Sequence, residues 1–257
     1  MANSEIGMFG WCDLLSTDAK GAVGFYTKVF SWTSENVPSP SGGTYHFMKL
    51  GNKTVGGMVT QHKTPAIKHS IWQSYFLVED IKLVAAKAEK VGGKVVDAPY
   101  EIGEFGYSAM IQDPTGANFN LWQSKAGPRA EKYCEEKAGS FCWTELLTKN
   151  TDVAGKFYCD LFDWTPETMK VADHLPPYTI FKKDGIPSCG MLAIQKEMGD
   201  IPSHWLPYVF VDNCDDTLHK ARQAGGHEVM PTTEIPTIGK FAVFKDTQGA
   251  VLACMSK

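Results

Sequence analysis

Apolar and polar positions change period repeatedly along this chain. Residues 8–15 read as a half-buried strand. From Ala19 to Phe30 the positions Ala22, Phe25, Tyr26, Val29 and Phe30 fall at helical spacing, one face of an amphipathic helix. Residues 45–50 and 54–60 read as two strands joined at Gly51-Asn52, a turn pair. A strand at 71–78 and a helix at 80–91 stopped by Gly92-Gly93 come next. Strands at 94–97, 107–112 and 117–122 follow, the last two joined through Asp113-Pro114-Thr115-Gly116. Each such stretch is a strand, a helix and then two or three strands.

The pattern then starts again. Trp11-Cys12-Asp13-Leu14-Leu15 returns 132 positions later as Trp143-Thr144-Glu145-Leu146-Leu147, Phe25-Tyr26 as Phe157-Tyr158, and Trp32 as Trp164. Gly56-Gly57-Met58 returns 133 positions later as Cys189-Gly190-Met191, and Asp113 with Gly116-Ala117 as Asp246 with Gly249-Ala250. Self-similarity over the whole length means two homologous domains. The boundaries read as 1–123 and 140–257, with a linker at 124–139 rich in Lys, Glu, Ala and Gly. Each domain repeats internally, which makes four units of about 60 residues and argues against a doubly wound parallel sheet.

Composition narrows the function. The net charge of −4, with no Lys/Arg cluster, gives no footprint for nucleic acid. No window approaches the roughly 18 apolar residues a membrane span needs, and residues 1–7 lack the basic start and apolar core of a signal peptide. Seven scattered cysteines without a Cys-x-x-Cys read as reduced thiols, hence a cytoplasmic protein. No nucleotide-binding glycine loop and no Gly-x-Ser-x-Gly nucleophile motif is present.

Four βαβββ units paired into two domains resemble the vicinal oxygen chelate superfamily, which groups glyoxalases, bleomycin resistance proteins and extradiol dioxygenases. The resemblance is carried by the opening strand with Phe25-Tyr26, Phe30 and Trp32, and by Asp113-Pro114-Thr115-Gly116-Ala117 with Leu121-Trp122-Gln123. It implies an α+β fold of tandem βαβββ modules forming two cup-shaped domains. It also implies, for metal-dependent members, ligands on the inner faces of four strands per cup. There the metal holds two adjacent substrate oxygens and stabilises the charge between them.

In this chain those positions fall on Trp11, Met58, Gln73 and Asn120 in the first half and on Trp143, Met191, Leu206 and Ala253 in the second. Trp, Leu and Ala cannot ligate, and thioethers suit soft metals. No metal or other cofactor is therefore expected. The histidines form no ligand pair. His204 is the one that shares strand parity with Leu206.

Strand alternation turns Trp11 and Asp13 to one face, and likewise Trp143 and Glu145. Gln73, Tyr75, Asn120 and Trp122 then line the first cup. Met191, Leu206 and Tyr208 line the second, where a carboxylate among apolar groups would be poised as an acid or base. Asp13 and Glu145 are the candidate catalytic residues. The expected partner is a small organic ligand, aromatic or oxo-acid-like, handled by a monomer or homodimer. Lyase or isomerase chemistry without a metal, non-catalytic sequestration of a drug-like molecule, and metal-dependent lyase or dioxygenase chemistry all remain open.

Overall fold

The computed structural model describes residues 5–39, 42–60, 69–127, 135–170 and 176–257. His62, His174, Cys134 and the middle of the expected linker lie outside them. The first module contains β1 (Phe9–Ser16), α1 (Ala19–Phe30), β2 (Thr33–Pro38), β3 (Thr44–Leu50) and β4 (Lys53–Thr60). The second contains β5 (Ile71–Leu77), α2 (Ile81–Lys90), β6 (Lys94–Ile102), β7 (Gly106–Gln112) and β8 (Asn118–Ser124). The third runs through β9 (Phe141–Thr148), α3 (Thr151–Phe162), β10 (Thr165–Met169), β11 (Tyr178–Lys183) and β12 (Ile186–Ala193). The fourth has β13 (His204–Phe210), α4 (Cys214–Gln223), β14 (His227–Ile235), β15 (Gly239–Lys245) and β16 (Val251–Ser256).

The fold is thus α+β, with four tandem βαβββ modules in two eight-stranded sheets. Their orders are β2-β3-β4-β1-β5-β8-β7-β6 and β10-β11-β12-β9-β13-β16-β15-β14. Strands β2 and β10 were not legible in the sequence. Both are sheet edges whose residues are almost all exposed, so they carry no apolar alternation. The four described α-helices start the same way. Asp18, Asp80, Asn150 and Asn213 each accept a hydrogen bond from a backbone N–H of the first turn. Such caps contribute about 1 kcal/mol each.

The chain divides into two compact units, and each draws on both repeats. One comprises Trp11–Gln73, Tyr133–Cys142 and Pro207–Lys257; the other Met1–Gly10, Ser74–Lys132 and Trp143–Leu206. In the first, α1 packs on α4, and Phe25 meets Phe244 at 6.2 Å between ring centroids. The Trp72 indole N–H donates to the Tyr26 hydroxyl at 2.8 Å, and that hydroxyl donates to Asp246 Oδ2 at 3.1 Å. Asp246 Oδ1 accepts the backbone N–H groups of Gln248 and Ala250, both at 2.8 Å.

The second unit repeats this chain with its own residues. Trp205 donates to the Tyr158 hydroxyl at 2.9 Å, and Tyr158 donates to Asp113 Oδ2 at 3.0 Å. Asp113 Oδ1 in turn accepts from Thr115 N and Ala117 N. The Asp-x-x-Gly-Ala turn is therefore a structural fastener, with its aspartate used up by the core. Around it Phe76 packs against Phe162, Trp164 and Trp205 at 5.0–5.4 Å.

Candidate functional site

The register of β1 on β4 decides what shares a face with Asp13. The two strands pair in parallel with Asp13 opposite Gly57 and Leu14 opposite Met58. On β3, Phe47 lies opposite Gly57 and Tyr45 opposite Val59. One face of this sheet region thus carries Trp11, Tyr45 and Phe47, all partly accessible, together with the buried Asp13 and Gly57. The other carries Cys12, Leu14, Met48 and Met58, all fully buried. Met58 therefore does not line the face of Asp13, as the sequence reading expected. A one-residue offset puts Gly57 there instead.

That glycine has a physical reason. A Cβ at position 57 would overlap both the Tyr45 hydroxyl and Asp13 Oδ1. Its absence lets Tyr45 lie across β4 and donate to Asp13 Oδ1 at 2.6 Å. The Trp11 indole N–H donates to the same oxygen at 2.8 Å. Asp13 is 8% exposed, so its carboxylate is largely withdrawn from water and held by two neutral donors. Loss of water around the hydroxyl, followed by the Asp13 charge, pushes the Tyr45 phenol well above its ordinary pKa. Tyr45 is therefore a permanent donor at neutral pH.

The second repeat builds the same arrangement in the other unit. Glu145 on β9 lies opposite Gly190 on β12, and Leu146 opposite Met191. Met191 again belongs to the opposite face, and its methyl reaches toward Gly155 of α3. A Cβ at Gly190 would overlap the Tyr178 hydroxyl. The Trp143 N–H donates to that hydroxyl at 3.0 Å, and Tyr178 hydrogen-bonds Glu145. Burial first, then the Glu145 charge, raises the Tyr178 phenol well above its usual value. Glu145, 7% exposed, is thus not a carboxylate among purely apolar groups.

The remaining candidates sit as follows. Gln73 and Tyr75 are buried at one parity on β5, and Tyr75 pairs with Asn120 and Leu77 with Trp122 across β8. Asn120 is buried and Trp122 partly exposed, so these four share one face. Leu206 and Tyr208 are buried at one parity on β13, with Tyr208 opposite Ala253. His204 Nδ1 lies 2.8 Å from the Pro202 carbonyl, and burial lowers the imidazole pKa.

Sequence reasoning missed Tyr45 and Tyr178. The signal was available, since the two are 133 positions apart, the same step that relates Gly57 to Gly190.

These donors do not fit a divalent metal. Trp11 and Trp143 present N–H groups already spent on hydrogen bonds, and Met58 and Met191 face away from the acids. Among the described residues, no group of three or more His, Cys, Asp or Glu lies together. None of the described helices is long and apolar enough to cross a membrane.

Comparison with known proteins agrees with the fold. "Putative glyoxylase CFP32" of Mycobacterium tuberculosis is 34% identical over 251 residues, covering 97% of this chain and 94% of the relative. "Anthracycline biosynthesis protein DnrV" of Streptomyces peucetius is 27% identical, covering 95% and 91%. Among solved structures, the Mn(II)-bound glyoxalase from Novosphingobium aromaticivorans has a TM-score of 0.64 at 14% identity, covering 98% of this chain and 83% of that one. The 2,3-dioxygenase LapB from Pseudomonas sp. KL28 also scores 0.64, at 12% identity, covering 99% and 94%. A sequence model of the Glyoxalase/Bleomycin resistance protein/Dioxygenase superfamily matches residues 8–121. With a relative this similar along its whole length, the chain belongs to that superfamily.

Proposed function

We propose that the chain binds a small organic molecule, aromatic in body, and moves a proton on it through a carboxylate without a metal. Each half, 1–123 and 140–257, carries one such site, joined by 124–139. The observation that carries this reading is the repeated pairing of a largely buried acid with a tyrosine hydroxyl, Asp13 with Tyr45 at 2.6 Å and Glu145 with Tyr178. A carboxylate withdrawn from water takes a proton from an acidic C–H next to a carbonyl. The C–H electrons form a carbon–carbon double bond, and the carbonyl oxygen takes the charge. Once the carboxylate is protonated it no longer needs the phenol hydrogen, and the phenol O–H turns to donate to that oxygen instead. Return of the proton to a neighbouring atom completes an isomerisation; loss of a β-substituent instead gives a lyase.

The anthracycline biosynthesis relative supports an aromatic ligand. An oxo-acid meets like-charge repulsion from the carboxylate of either site and is the weaker choice. The free thiols of the six described cysteines support the cytoplasm. Monomer and homodimer are both compatible with two sites per chain. Neither nucleic acid nor membrane enters the function.

The test is deuterium exchange. Aromatic ketones and oxo-acids are incubated with the protein in heavy water and followed by proton NMR. Wild-type protein is expected to exchange the α-hydrogen, E145Q and D13N each to exchange it more slowly, and the double variant to lose exchange while still binding. Binding with no exchange in the wild type would replace this reading with sequestration of the ligand.

A further inference from the structure

We infer that Cys214 and Cys254 form a redox-active pair, a modification site at which hydrogen peroxide joins α4 to β16 through a reversible disulfide. The site uses none of the residues that carry the proton transfer.

Both cysteines belong to one compact unit. Cys214 opens α4, directly after the capping Asn213. Cys254 and Ser256 sit two positions apart on β16, so their side chains share one face of that strand. Cys214 Sγ reaches this face. It lies 3.5 Å from Ser256 Oγ and 3.8 Å from the Cys254 carbonyl oxygen, with the Lys240 carbonyl oxygen at 3.4 Å. The two thiols hydrogen-bond each other, Cys254 donating and Cys214 accepting. Both are buried, yet Asn213, Asp215, Lys240 and Lys257 beside them are exposed, so the pair lies one residue beneath the surface.

The surroundings divide the roles. The bond from the Cys254 thiol is the largest influence on Cys214 and pulls its pKa below the ordinary value. Burial opposes this, and the Ser256 hydroxyl and backbone N–H add to the lowering. The amino end of α4 also favours a negative sulfur. Cys254 is pushed up, first by the same bond and then by burial. Cys142 and Cys159 are raised chiefly by burial. Cys214 is therefore the nucleophile and Cys254 the thiol that resolves it.

The Cys214 thiolate attacks one oxygen of the peroxide. A sulfur–oxygen bond forms, the oxygen–oxygen bond breaks, and the hydroxide released takes up the proton Cys214 had lost. The Cys254 sulfur then attacks the Cys214 sulfur and expels hydroxide, which takes the Cys254 proton. Two thiols are oxidised to one disulfide, and one peroxide is reduced to two waters. Where thiols are kept reduced, exchange with a small thiol reopens the bond.

The test exposes the folded full chain to stepwise additions of hydrogen peroxide, blocks the remaining thiols with iodoacetamide and maps the peptides by mass spectrometry. The expected product is a Cys214–Cys254 link that dithiothreitol removes. C254S is expected to stop at a Cys214 sulfenic acid, captured by dimedone. C214S should give neither link nor capture, and C142S should leave the link in place. No link between these two in the wild type, a link from Cys214 to another cysteine, dimedone on Cys254 in place of Cys214, or a link that forms only after urea has unfolded the chain would overturn the inference. The wild-type map decides the matter even where a variant does not fold.

Discussion

The Tyr26 hydroxyl donates to Asp246 Oδ2 at 3.1 Å, from a helix of the first repeat to a turn 220 residues further along. The same hydroxyl accepts the Trp72 indole N–H, so one oxygen joins a strand, a helix and a turn. Tyr158 does the same for Trp205 and Asp113 in the other unit. The aromatic pair first visible as a repeated Phe-Tyr is therefore half packing, through the phenylalanine, and half polar fastening, through the tyrosine. Removing the hydroxyl strips Trp72 of its acceptor and Asp246 of a donor, both fully inside. Y26F is expected to cost about 2–3 kcal/mol in urea unfolding, well above the roughly 1 kcal/mol of an average hydrogen bond.

That cost should depend on pH. Burial raises the Asp246 pKa, while the Tyr26 bond lowers it. Taking the bond away raises it further. A carboxyl with a raised folded pKa favours the folded state when protonated, and that contribution is lost as pH rises through the folded value. The gap between wild type and Y26F is therefore expected to be larger at about pH 7 than at about pH 4. Urea midpoints at the two values read this directly, and a gap that widens on acidification would contradict the assignment of Asp246 as the partner.

Four tyrosine hydroxyls give a second pH dependence, at the alkaline end. Burial is the largest cause that raises the phenols of Tyr26, Tyr45, Tyr158 and Tyr178, and a neighbouring carboxylate charge adds to it in each case. Folded pKa values above the unfolded value of about 10 contribute stability that is present below pH 10 and lost as pH rises beyond it. Absorbance at about 295 nm should show these four ionising together with loss of circular dichroism. Their ionisation in the native state, ahead of unfolding, would mean the hydroxyls are not where the hydrogen bonds put them.

Much of this was legible from residue order, and the losses have identifiable causes. The helix Ala19–Phe30 was read with its bounds because its apolar face is a local signal; its Asp18 cap, equally local, marks the same start. The shared face of Trp11 and Asp13 followed from strand alternation alone. Strands β2 and β10 were invisible because an exposed edge strand needs no apolar period. Met58 was assigned to the wrong face because parity within one strand says nothing about register against its neighbour. Asp13 pairs with Gly57, and a single residue reverses every assignment along β4. Tyr45 and Tyr178 escaped because the search was for metal donors, and a phenol that holds an acid is a different kind of part.

Gly57 and Gly190 yield a paired prediction. Each lies under a tyrosine hydroxyl that an added methyl would strike. In G57A and G190A the tyrosine must swing away, at a stability cost of about 1–3 kcal/mol from overpacking. Each variant is expected to slow deuterium exchange, because the displaced tyrosine no longer holds its acid, and the double variant to slow it further. A crystal structure of either variant with its tyrosine unmoved would show that the glycine is there for another reason.

Metal addition tests the donor chemistry. The glyoxalase of similar fold from Novosphingobium aromaticivorans is Mn(II)-bound, yet here the strand positions expected to ligate carry indoles already donating and thioethers turned to the opposite face. A ligand that binds the native state at 100 times its Kd raises stability by about 2.7 kcal/mol, which is several degrees in melting temperature. Differential scanning calorimetry with Mn(II), Ni(II) and Zn(II), each against a chelated control, is therefore expected to show no upward shift. Zinc bound by cysteine thiols of the unfolded chain lowers the melting temperature rather than raising it. An upward shift that vanishes on mutating Asp13 or Glu145 would place a cation against those acids. Two tyrosine-held carboxylates would then have to be re-read as ligands rather than as bases.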